Sequence, residues 1–197
     1  KTDTSGQSEV APIATDITRG RISAFLHDER TEPVEEAEVD AFKEYARKAG
    51  DPNQPGLVAW YNYKRKVFPD ALEWFKFAVS RGGDTMIAHG LAHTLRELKL
   101  KRDTEEVSYA WRQPLVNNSI LFIDILERDL TKKIPPYIEP QRLLRYAQVT
   151  KDSAAGEGAQ GLAWYAYNTC QFKVALKWFR HAVAWHPKEG TVYGLAI

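Results

Sequence analysis

The sequence predicts an all-α protein made of stacked helix pairs. Three observations carry this: an internal repeat at an offset of 104 residues, helical spacing of the apolar residues inside it, and short turns that divide each copy in two. At that offset Ala59-Trp60-Tyr61-Asn62-Tyr63 lands on Ala163-Trp164-Tyr165-Ala166-Tyr167, Ala71-Leu72 on Ala175-Leu176, and Trp74-Phe75 on Trp178-Phe179. Ala78-Val79 lands on Ala182-Val183 and Gly90-Leu91-Ala92 on Gly194-Leu195-Ala196, so that 14 of the 34 positions from 59 to 92 are identical without a gap.

Each element follows from local pattern. Residues 1–20 are small and polar apart from Ile13 and Ile17, and read as a flexible leader before a repeat array over 21–197. Residues 33–49 are helical, with a Glu-rich start that suits the helix dipole. In the first copy, Trp60, Tyr63 and Val67 follow i, i+3, i+7 and predict a helix over Leu57–Lys66. A second helix over Phe68–Arg81 starts at Phe68-Pro69-Asp70, where proline is tolerated in a first turn, and stops at Gly82-Gly83. The other copy repeats the plan over Gly161–Cys170 and Phe172–Trp185. Between them, helices are expected over 86–100, 104–111, 117–132 and 139–150, with Pro135-Pro136 as a rigid break. Residues 191–197 match the start of a further helix at 87–93, so the chain is expected to stop in mid-repeat. The total is about ten helices and no sheet. One such pair cannot bury its apolar face alone, and stacked neighbours supply the core.

These residues resemble the tetratricopeptide repeat (TPR) family, whose 34-residue helix pairs carry small residues near positions 8, 20 and 27 and aromatics near 17 and 24. With Ala71 at position 20, Ala59, Phe68, Phe75 and Ala78 take the other slots. With Ala175 there, Ala163, Phe172, Phe179 and Ala182 do the same, and Pro187 falls at position 32. The pattern departs at position 4, where Pro55 and Ala159 stand in place of an aromatic. The resemblance implies a right-handed solenoid and a non-enzymatic protein–protein scaffold whose first helices line a concave groove. Carried over position by position, Trp60, Tyr63 and Lys64, and equally Trp164, Tyr167 and Asn168, face that groove. A weaker resemblance is to the TPR region of bacterial cellulose and exopolysaccharide export proteins. It would make the chain a periplasmic scaffold, possibly touching glycan; otherwise a cytoplasmic place is expected.

Composition narrows the partners. Twenty-seven basic against 26 acidic residues leave a net charge of +1, so a dedicated nucleic-acid surface is not expected. The longest clean apolar run, Ile120 to Ile123, is far short of the roughly 20 residues of a membrane span. Cys170 is the one cysteine and stands without a nearby histidine that would make it a nucleophile. No phosphate loop or nucleophile elbow is present, and no cofactor is expected. His89, His93 and Glu97 recur every four residues on one helix face, which is the spacing of metal ligands. A metal-binding helical-repeat protein is therefore the third reading. The packing alternative for His89 is that Tyr193 fills the equivalent slot.

Overall fold

The computed structural model describes residues 11–197. Among the described residues it contains eleven helices and no strand: α1 (Ala11–Leu26), α2 (Glu36–Lys48), α3 (Asn53–Lys64), α4 (Phe68–Ser80), α5 (Thr85–Glu97), α6 (Lys101–Ala110), α7 (Val116–Leu130), α8 (Pro140–Asp152), α9 (Gly156–Asn168), α10 (Phe172–Trp185) and α11 (Glu189–Ala196). They fall into two compact units, Lys1–Leu100 and Lys101–Ile197.

The two units share a plan that runs further back than the sequence repeat. Shifted by 104 residues, the bounds of α1 to α4 fall within a residue of those of α7 to α10, and α5 starts where α11 starts. In the first unit α3 packs on α1, α2, α4 and α5; in the second α9 packs on α7, α8, α10 and α11. Buried side chains correspond as well: Ile22 with Leu126, Val34 with Ile138, Phe42 with Tyr146, and Val58 with Leu162. Helix α6 has no counterpart in the first unit. From residue 11 to 58, only Leu26 with Leu130 and Glu35 with Glu139 are identical, so the repeat survives there as apolar size and spacing alone.

The expected leader is corrected. Residues 11–20 are the first part of α1, and residues 1–10 lie outside the described residues. The stripe that docks α1 is Thr18, Ile22 and Phe25, spaced i, i+4, i+7, and the expected boundary at residue 20 cut across it. Ile13 and Ile17 remain exposed.

The helix pairs turn by one recurring device. After α3, Lys66 takes a left-handed backbone (φ 62°), its N–H donates to Tyr63 O, and the Val67 N–H donates to Asn62 O. After α9, Cys170 does the same (φ 62°), with bonds from Cys170 N–H to Tyr167 O and from Gln171 N–H to Ala166 O. This double closure satisfies carbonyls that the helix end would leave orphaned. Only Gly82, after α4, meets the positive φ with the residue suited to it. Cys170 is exposed, so Cys170→Gly removes a left-handed strain without opening a hole. The variant should gain about 0.5–1 kcal/mol in chemical denaturation, the strain relieved less the entropy glycine adds to the unfolded chain. A loss of stability would mean the turn needs the Cβ.

Candidate functional site

The core beneath the candidate face is made by the residues expected there. Ala71, Phe75 and Ala78, and Ala175, Phe179 and Ala182, are all buried. On this floor the same aromatic chain is built twice. Trp60 stands edge-on to Phe75 (5.0 Å between centroids) and to Tyr63 (5.7 Å), and Tyr63 stands edge-on to Phe68 (5.6 Å). In the second unit Trp164 meets Phe179 (5.1 Å) and Tyr167 (5.8 Å), and Tyr167 meets Phe172 (5.6 Å). Edge-to-face contact is the favoured geometry of aromatic quadrupoles and adds to the area they bury.

Two of these rings lean on glycines of the following helix. A Cβ on Gly90 would lie 2.3 Å from Phe75 Cζ and 2.8 Å from Trp60 Cζ2. A Cβ on Gly194 would lie 2.1 Å from Phe179 Cε1. Trp60 is thereby wedged between α4 and α5 and works in large part as packing. The tyrosines are partly buried and lie at the outer end of each chain of rings. Burial raises the pKa of the Tyr63 hydroxyl, with Glu97 adding to the rise and Arg96 opposing it.

Lys64 and Asn168 have structural partners. The Lys64 amine donates to Phe25 O (2.7 Å) and Leu26 O (3.0 Å) and pairs with Asp28 at 2.5 Å, capping the C-terminal end of α1 with a cation. At the equivalent position Asn168 Nδ2 donates to Lys132 O (2.9 Å), just beyond α7. Both tie one first helix to the first helix before it.

His89 and His93 do meet: their Nε2 atoms are 3.1 Å apart and their rings nearly perpendicular. His93 is shifted down to about 4 by burial first, then by its neighbours His89 and Arg96. Among the described residues, no group of three or more His, Cys, Asp or Glu side chains gathers as a metal cage, so Glu97 does not complete a three-ligand set.

A second aromatic stripe, on the second helix of each pair, escaped the sequence reading, which had Trp74 and Trp178 only as packing residues. Arg47 of α2 lies over Trp74 (5.2 Å to the ring centroid), Trp74 meets Phe77 (6.0 Å), and Arg81 lies over Phe77 (4.8 Å). With Glu73 these residues line a cleft of about 450 Å³. In the second unit Lys151 lies over Trp178 (5.6 Å), which meets His181 (5.6 Å), and His181 stacks on Trp185 (4.7 Å). The available signal was the 104-residue offset itself, which pairs Arg47 with Lys151 and Phe77 with His181.

No family model matches the chain, and no curated protein matches it. A solved structure does: YrrB, a TPR protein described as having an unusual peptide-binding site, is 13% identical, with a TM-score of 0.56 over 95% of this chain and 89% of that one. The fold is that of a TPR-like helical repeat. Neither the structure nor these comparisons connect the chain with polysaccharide export. Among the described residues no helix is long and apolar enough to cross a membrane.

Proposed function

We propose that this TPR-like protein is a non-enzymatic scaffold that binds a peptide segment of a partner protein on its first-helix face. The observation that carries the reading is the duplicated ring chain, which ends in each unit on a partly open tyrosine, Tyr63 or Tyr167. A Tyr ring held edge-on by Trp behind it offers rigid contact area at small entropic cost, with a hydroxyl for orientation. YrrB, of similar fold, is described as having a peptide-binding site. Lys64 and Asn168 serve this face indirectly, by fixing α3 and α9 against α1 and α7.

The test is selection of binding peptides from a random library, followed by titration against Tyr63→Ala/Tyr167→Ala. Affinity should fall at least tenfold while the melting temperature moves by only a few degrees, since neither ring is fully buried. Peptides that bind the double variant unchanged would move the interaction surface off this face. Global unfolding of the variant would make the tyrosines packing residues and overturn the reading.

A further inference from the structure

We propose that His89 and His93 form a two-point chelate for a divalent transition-metal ion on α5. The geometry carries it. A metal bound by two imidazoles at about 2.0–2.1 Å, with an angle between square and tetrahedral, spaces their nitrogens by roughly 2.9–3.4 Å. The two Nε2 atoms stand 3.1 Å apart, inside that span. One helical turn separates the residues, so the rigid backbone of α5 holds both rings without any loop having to order. Both side chains are only partly buried, which leaves the remaining coordination positions open to water.

The pair is not an obligate packing element of this architecture. At the equivalent positions of the second unit stand Tyr193 and Ile197, and neither can replace a histidine pair as ligands. Imidazole nitrogen favours borderline ions such as Zn²⁺, Ni²⁺, Co²⁺ or Cu²⁺ over Mg²⁺ and Ca²⁺, which prefer oxygen. The chelate has only two protein ligands, so it binds more weakly than a closed structural zinc site and stays open to a further ligand. This assignment does not depend on the peptide-binding reading.

The test uses the full chain, freed of metal with a chelator and titrated with Ni²⁺ or Zn²⁺ by calorimetry. One saturable equivalent per chain is expected, with no response to Mg²⁺. His89→Tyr, which installs the residue of the second unit, and His93→Gln should each weaken binding at least tenfold. The control His181→Ala/His186→Ala should leave it unchanged. A second measurement avoids variants altogether: substoichiometric Cu²⁺ should broaden the amide and imidazole NMR signals around residues 89 and 93 first. The proposal fails if no saturable binding occurs, if the His89 and His93 variants bind as the parent does, or if broadening centres on His27, His181 or His186.

Discussion

Gly90→Ala should destabilise the first unit by about 2–4 kcal/mol, although alanine is the better helix former by about 1 kcal/mol. The new methyl would lie 2.3 and 2.4 Å from two carbons of the Phe75 ring and 2.8 Å from Trp60 Cζ2. Phe75 is wholly buried between Ala71, Ala78 and the first-helix layer, so its ring has nowhere to retreat. Either α5 slides off α4, or Phe75 and Trp60 leave their favoured edge-to-face packing. Urea denaturation followed by tryptophan fluorescence measures the loss. The cause is checked by the double variant Gly90→Ala/Phe75→Leu. Phe75→Leu alone opens a hole and should cost about 1–2 kcal/mol, while the pair should cost less than the sum, because the methyl enters the space the ring left. Strict additivity would mean that the glycine answers to something other than the ring. Gly194→Ala, 2.1 Å from Phe179 Cε1, should act in the same direction. Phe75→Ala and Phe179→Ala, which remove the ring outright, fall under the usual cost of about 3–5 kcal/mol for a buried phenylalanine.

Gly90 and Gly194 mark the line between what was legible in the sequence and what was not. Their recurrence 104 residues apart was visible, but a glycine inside a helix reads only as a cost until the ring it accommodates is placed. The helix pairs at 57–81 and 161–185 were legible because aromatic identities and a clear 3.6-residue period coincide there. Helix α1 was not, because its buried stripe includes a threonine, and Ile13 and Ile17 stand on its exposed side. The correspondence of α1 and α2 with α7 and α8 left no run of identical residues, since those helices conserve only which positions are buried. Part of the candidate face was legible as well. The repeat placed Trp60 with Tyr63 and Trp164 with Tyr167, but sequence could not say that the tryptophans are wedged by the next helix. Nor could it show that Lys64 and Asn168 are engaged as caps, because their acceptors are backbone carbonyls 36 to 39 residues away. Acceptors of that kind have no sequence signature.

Arg142→Ala should be the most damaging change in the second unit outside its apolar core, at about 3–5 kcal/mol. Helix α6 has no counterpart in the first unit, and its attachment leans on Glu105. Both carboxylate oxygens of Glu105 accept from Arg142 of α8, at 2.7 and 2.9 Å from Nε and 2.6 Å from Nη2. The Glu105 side chain is 3% exposed and that of Arg142 22%, so the two ends of the pair are not equivalent. Removing the arginine strands a buried carboxylate, for which Arg102, at 3.5 Å and mostly in solvent, is a poor substitute. Removing the carboxylate by Glu105→Ala instead leaves a guanidinium that can turn toward water, and should cost less, about 1–3 kcal/mol. Replacing both, as Glu105→Leu/Arg142→Met, should recover most of the loss, because two apolar side chains of similar volume need no compensation for desolvation. Thermal denaturation of the four proteins separates the terms. If Arg142→Ala proves no worse than Glu105→Ala, the carboxylate is reached by water and α6 is held by its other contacts, the tilted packing of Tyr109 on Phe122 and the Arg145 guanidinium over the Tyr109 ring.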